Sequence, residues 1–256
     1  MSFLSSQEIL SIPDTLGHAH AHWNTGRADQ AERLCQHVLA AWPGQADALH
    51  LLGLIAHAYG DLDVAIAHLR QACTTPHAPA VYSSNLAEMY RQKGLLAEGE
   101  EAARRAVSMD PTLVSGWNNL GIIQQETGKL KESLACLERV VGLQPGWAEA
   151  HNNLANTFRR LGRMDRAERH YRQALALNPS YAEAHKNLAS LLSSQGRYDE
   201  AATAAQRAIE LSPRVVDAYP NLTEVETSRH LRAAALGALD MLRAFAPQHP
   251  AGLWHA

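Results

Sequence analysis

Five asparagines recur at 34-residue intervals, and their side chains suit the binding of a peptide backbone: Asn85, Asn119, Asn153, Asn187 and Asn221. Half of the chain's ten asparagines share this phase, which composition alone does not explain. A carboxamide carries one donor group and one acceptor group, which is the pair that a peptide unit presents. Each contact contributes roughly 0.5–1.5 kcal/mol, so useful affinity needs several at once. The column therefore predicts a ladder of side chains that binds the backbone of an extended peptide. The alternative is that the asparagines were copied from one ancestral repeat and have no role in binding.

Side chains around this column are expected to set the selectivity of such a site. They are Asn118, Asn152, Asn156, Arg159, Arg160 and Lys186. The three basic members favour an acidic or phosphorylated ligand segment, because charge-assisted hydrogen bonds are strong. The alternative for these three is an ordinary solvated charged surface.

A 34-residue unit organises the chain around these side chains. We number positions from the first residue of each unit, and the units are 12–45, 46–79, 80–113, 114–147, 148–181, 182–215 and 216–249. Position 15 is glycine in six of the seven units, and position 32 is proline in six of the seven. Glycine ends a helix and permits a tight turn, whereas proline cannot continue one. Each unit therefore predicts helix A, a glycine turn, helix B and a proline turn.

Interior positions agree with this pattern, since small residues at positions 8 and 20 allow the two helices to approach closely. Trp117, Leu120 and Gly121, followed by Leu137 and Pro145, resemble the signature of the tetratricopeptide repeat family. The resemblance implies an all-α fold, a right-handed α-α superhelix (a solenoid) of about seven repeats. It also implies that the A helices line the concave face and the B helices the convex face.

The asparagine column resembles the asparagine ladder in the repeat domain of O-GlcNAc transferases, which binds substrate peptide backbones. Gly17 and Leu51 stand at the equivalent positions of the first two repeats, so a ladder here starts at the third. One hypothesis is a non-catalytic interaction scaffold that binds an extended peptide or protein segment in the concave groove. The second is the substrate-recognition arm of a larger enzyme, such as an O-GlcNAc transferase-like glycosyltransferase. The third is self-association through the terminal repeats, so a monomer or a weakly self-associating chain is expected.

The two ends depart from the repeat pattern. Residues 1–11 predict an N-terminal cap, because Ser5-Ser6-Gln7-Glu8 reads as a helix capping box. Residues 250–256 predict either a C-terminal tail or the start of a further helix in a longer protein.

Composition narrows the classes of function and location. A net charge of -3 and a pI near 6.5 give no basic surface for nucleic acid. No stretch approaches the roughly 20 apolar residues of a membrane span. The acidic N-terminus does not resemble a signal peptide, and three cysteines without paired spacing favour a reducing compartment. These features predict a cytoplasmic protein.

Catalytic, cofactor and metal motifs are not found in the sequence. Gly121 to Lys129 has the wrong spacing for a P-loop, and there is no Gly-x-Ser-x-Gly or His-Glu-x-x-His. We therefore predict no catalytic residue and no cofactor. His18 and His22 share a helix face and flank His20, but no carboxylate or cysteine stands at ligand spacing. The cluster is more consistent with packing than with a metal site.

Overall fold

The computed structural model describes residues 11–212, and within this range it contains twelve α-helices and no strand. The packing of Cα atoms divides the chain into two units, Met1–Pro145 and Gly146–Ala256. The all-α prediction is confirmed for the described range. Asn221, the seventh repeat, residues 1–10 of the predicted N-terminal cap and residues 250–256 lie outside it.

Unit 1 contains four helix pairs within its described residues, 11–145. Their bounds are α1 Ile12–Asn24, α2 Ala28–Ala41, α3 Ala46–Ala58, α4 Leu62–Cys73, α5 Ala80–Gln92, α6 Leu96–Met109, α7 Val114–Glu126 and α8 Leu130–Leu143. Within this unit each helix packs against the next one in the chain, which is the arrangement of a helical solenoid. The odd-numbered helices are A helices and the even-numbered ones are B helices.

Unit 2 contains two described helix pairs. Their bounds are α9 Ala148–Arg160, α10 Met164–Leu177, α11 Ala182–Ser194 and α12 Tyr198–Leu211. Here too each helix packs on its successor, with α9 and α11 as the A helices.

The turn between helix A and helix B depends on glycine. The position-15 glycine has φ between 73° and 84° in all six described repeats, a left-handed conformation that disfavours a Cβ. At Gly128 the amide donates to Gln125 O (3.1 Å), and Lys129 N donates to Gln124 O (2.8 Å). These bonds satisfy carbonyls at the end of α7 that would otherwise be unpaired.

One repeat has a different turn between helix B and the next helix A. His77 occupies position 32 of the second repeat and has φ of 62°. Proline is fixed near φ of about -65° and cannot adopt this conformation. The missing proline of the second repeat therefore has a backbone explanation.

The core lies between the helices of each pair and along the seam to the next pair. Leu120 and Leu154 at position 7 are each 2% exposed, and Val140 at position 27 is fully buried. A Cβ added to Gly121 would lie 2.7 Å from Leu137 Cγ, closer than real Cβ contacts. The predicted close approach of helix A and helix B is confirmed at this position.

Candidate peptide-binding face

In unit 1 the asparagine column comprises Asn85 on α5 and Asn119 on α7, and both side chains are half-buried. Asn119 Nδ2 donates to Ser84 O (2.9 Å) and lies 3.3 Å from Ser84 Oγ. Asn85 Nδ2 lies 2.9 Å from His50 Nε2. Each carboxamide is therefore tied to the preceding A helix through its amide nitrogen.

His50 is an acceptor for Asn85 because it remains neutral. Burial lowers the pKa of this imidazole to about 4, and the nearby His20 lowers it further while Asp47 opposes the shift. The ring stacks on Tyr82 with centroids 4.0 Å apart, and the Tyr82 hydroxyl donates to Asp47. At neutral pH, Nε2 can therefore accept the N–H of Asn85, with the ring proton on Nδ1.

In unit 2 the same relation joins α9 and α11. Asn187 Nδ2 donates to Asn152 Oδ1 (3.0 Å), and Asn152 Nδ2 donates to Tyr181 Oη (3.4 Å). Asn152 is fully buried and Asn187 is 9% exposed, whereas Asn153 on α9 is half-buried. Asn152 thus positions Asn187 and has no exposed surface of its own.

These pairs follow one rule, in which position 6 of an A helix donates to position 5 of the A helix before it. Position 5 is occupied by buried polar side chains in four consecutive repeats: His50, Ser84, Asn118 and Asn152. From the sequence, position 5 was expected to face a ligand, and its role as an acceptor between helices was missed. The available signal was a second polar column, offset by one residue from the asparagines.

We call the residues at positions 6, 9, 12 and 13 of the A helices of one unit the A-helix face. In unit 1 its charged residues are paired with one another. Arg91 donates to Glu88 Oε1 (2.7 Å) and to Glu126 Oε1 (2.8 Å), and Gln92 bonds both Glu88 and His57. Burial would raise the pKa of Glu88, but hydrogen bonds from Arg91 and Gln92 hold it below its usual value.

In unit 2 the A-helix face contains the predicted residues Asn156, Arg159 and Arg160. Asn156 Oδ1 accepts the hydroxyl of Tyr171 at 2.5 Å. Arg159 is hydrogen-bonded to the same phenol, although its Nε is buried without a hydrogen-bond partner. Arg160 is exposed, and Lys186, at position 5 of α11, is half-buried.

Neither a metal site nor a membrane span is found within residues 11–212, the histidine cluster included. No group of three His, Cys, Asp or Glu side chains in this range has the arrangement of a metal site. No helix in the same range has the length and apolar content that crossing a membrane requires.

Three family models described as tetratricopeptide repeat match the sequence. One matches residues 11–75 and 112–180, another matches 153–215, and the third matches 82–113. The chain belongs to the tetratricopeptide repeat family. Proteins built from these repeats are generally protein-interaction scaffolds, and a fold of such repeats alone is typically non-catalytic.

Solved structures share this fold at low sequence identity. The Cut9–Hcn1 hetero-tetramer of the APC/C matches with a TM-score of 0.77 and 17% identity over 86% of this chain, which spans only 43% of that one. Pseudomonas aeruginosa pilF matches with a TM-score of 0.72 and 16% identity, over 84% of this chain and 96% of its own. A thermophilic repeat protein of Thermus thermophilus matches with a TM-score of 0.51 and 22% identity, over 85% of this chain and 100% of its own. The search of curated proteins gave no match.

Proposed function

We propose that this protein is a non-catalytic interaction scaffold that binds an extended segment of a partner on its A-helix faces. The position-6 asparagines supply the backbone contacts. The proposal rests mainly on the hydrogen bonds that Asn85 and Asn119 make through Nδ2 to the preceding A helix, because these bonds fix the orientation of the two carboxamides. A fixed group loses less conformational entropy on binding than a mobile one.

The carbonyl oxygen is the group that these asparagines offer to a ligand. Within residues 11–212 the hydrogen bonds made by the Asn85 and Asn119 side chains use Nδ2. Oδ1 is therefore the atom that accepts a peptide N–H, and the ladder provides a row of acceptors rather than donor–acceptor pairs. Backbone N–H groups are common to all residues except proline, so this interaction tolerates many ligand sequences.

The alternative, an arm that recognises substrates for a glycosyltransferase, shares this binding chemistry. The matches described above name no glycosyltransferase, and the solved Cut9–Hcn1 structure is a hetero-tetramer. A fold that assembles with other polypeptides supports the interaction scaffold as the preferred function. The partner is an extended protein segment, with no requirement for nucleic acid or a membrane.

The test uses peptides selected from a random library against the wild-type protein. Replacing Asn85, Asn119 and Asn153 together by Ala is expected to weaken their binding about tenfold or more, because several contacts are lost at once. Fluorescence anisotropy with labelled peptides measures the dissociation constants. The control variant replaces three exposed B-helix carboxamides, Gln36, Gln173 and Gln206, and should bind like the wild type.

A second measurement tests which atom of the peptide is recognised. N-methylation of alternate peptide bonds removes backbone N–H groups without changing side chains, and it should weaken binding to the wild type. Equal affinity for methylated and unmethylated peptides, together with unchanged affinity of the triple asparagine variant, would refute the ladder.

A further inference from the structure

Arg159 is an arginine on the A-helix face of unit 2 without a counter-ion. No carboxylate among the described residues lies within salt-bridge distance of its guanidinium, and its Nε is buried without a hydrogen-bond partner. A buried N–H of a charged group that lacks a partner is costly. Arg159 is only half-buried, so its unneutralised positive charge, rather than the buried Nε–H itself, is what a ligand can reach and complete.

The equivalent arginine of unit 1 shows what is missing. Arg91 also occupies position 12, and it is held by Glu88 at position 9 and by Glu126 at position 13 of the next repeat. The same two positions around Arg159 are occupied by Asn156 and Ser194. Neither side chain carries a charge, so the pattern that neutralises Arg91 is absent at Arg159.

The neutral neighbours of Arg159 are already committed to other bonds. Asn156 Oδ1 accepts the Tyr171 hydroxyl at 2.5 Å. The Ser194 hydroxyl donates to the main-chain oxygen of Leu191 at 2.6 Å. Burial raises the pKa of Tyr171 to about 12, so this phenol supplies no negative charge at neutral pH.

We propose that Arg159 binds the carboxylate of an Asp or Glu side chain in the extended segment that lies on the A-helix face of unit 2. The proposal rests on the proposed function and adds the chemistry of one ligand side chain to it. The ligand carboxylate pairs with Arg159 as Glu88 and Glu126 pair with Arg91. A planar guanidinium presents paired N–H groups that match the two oxygens of a carboxylate.

Unit 1 is expected to show no such preference. Its arginine is paired within the protein, and Glu88 and Glu126 together outnumber it in charge. An acidic ligand side chain there would meet two carboxylates and one cation. Arg91 therefore shows the paired state of the same repeat position.

The experiment repeats the random-peptide selection with wild type, Arg159→Gln and a control, Arg207→Gln, using peptides with amidated C-termini. Arg207 is an exposed arginine on the B helix α12, paired with Glu210 and outside the A-helix face. Wild type and R207Q are expected to enrich Asp or Glu at one position of the selected peptides, whereas R159Q should not. A selected peptide and its Glu→Gln counterpart are then compared by fluorescence anisotropy. The Gln peptide should bind about tenfold more weakly than the Glu peptide to wild type and R207Q, whereas the two peptides should bind R159Q within about twofold of each other.

A second variant keeps the arginine and supplies the missing carboxylate from the protein. Ser194 is exposed and occupies the position of Glu126, so Ser194→Glu gives Arg159 an internal partner. The ratio of the dissociation constants of the Gln and Glu peptides should then fall to about twofold, although Arg159 itself is unchanged. This variant decides the question even if Arg159→Gln alters folding.

The outcomes separate this inference from the proposed function. Peptides that lose affinity with the triple asparagine variant but bind equally as Glu and Gln forms would overturn the inference alone. A preference for phosphoserine without one for Glu, or for a free C-terminus, would also overturn it. A library without binders, or binding that is indifferent to the asparagines and to N-methylation, would overturn both proposals.

Discussion

At Asn119 the side-chain amide donates to the main-chain oxygen of Ser84, while its carbonyl oxygen remains on the A-helix face. One residue therefore links two neighbouring repeats and offers an acceptor to a ligand. The same division applies to Asn85, whose Nδ2 is tied to the neutral ring of His50. A substitution at either position is expected to change stability as well as binding.

Two substitutions of Asn119 test the structural half of this role. Asn119→Ala removes one hydrogen bond and should lower the free energy of unfolding by about 0.5–1.5 kcal/mol. Asn119→Asp should cost more, on the order of 2–3 kcal/mol, because a carboxylate cannot donate and faces the Ser84 oxygens. Urea denaturation followed by circular dichroism measures both. An Asp variant as stable as the wild type would contradict the assigned amide orientation.

Each helix pair is an element that depends on a left-handed turn and on a close helix contact. Gly128 has φ of 78°, and a Cβ on Gly121 would lie 2.7 Å from Leu137 Cγ. The first requirement concerns backbone conformation and the second concerns space. Glycine meets both, for different physical reasons.

Gly128→Val tests the turn, with Gly142→Ala as its control. A β-branched residue is strained at positive φ, so the Val variant should lose about 1–3 kcal/mol of unfolding free energy. Gly142 lies in α8 without positive φ, and a Cβ there has no heavy atom within 4 Å. Ala at 142 should therefore stabilise the helix by up to about 1 kcal/mol. Melting temperatures measure both effects and should fall for the Val variant and rise for the Ala variant. A Gly128→Val variant with the melting temperature of the wild type would refute the turn assignment.

On the scale of the whole molecule, both units contain a histidine that the fold keeps neutral. Burial is the main cause in each and lowers the pKa of His50 and of His170 to about 4, and neighbouring basic side chains lower both pKa values further. His151 lies beside His170, with their Nδ1 atoms 3.1 Å apart. Protonation of either ring therefore opposes folding in its own unit.

The protein should lose stability as the pH falls from 6.5 towards 4. The unfolded histidines bind protons near pH 6.5 and the folded ones near pH 4, so stability is fully present above the first value and is lost on the way to the second. The loss is at most roughly 2–3 kcal/mol for His50, and it is smaller for His170, because His170 is about half exposed and solvent screens its charge. Thermal melts across this range measure the loss. His50→Asn should reduce the pH dependence, because of these two histidines only His170, with its lowered pKa, then remains.

Periodicity allowed the elements to be predicted from sequence. Glycine at position 15, proline at position 32 and leucine at position 7 act over a few residues or along one seam. Their spacing alone indicated helix pairs, and the six described turn glycines have the required φ. For the A-helix face, the sequence predicted only which repeat positions lie on it. That these residues contact a ligand stays a prediction.

The sequence by itself determined the repeat, its helices and the residues that share a phase with Asn119. Only the tertiary structure decided that Asn152 is a buried acceptor for Asn187, and that Arg91 is neutralised while Arg159 is not. The repeat pattern could be read from sequence because it determines which face of each helix is apolar. The bonds between polar side chains depend on the one-residue offset with which neighbouring A helices pack.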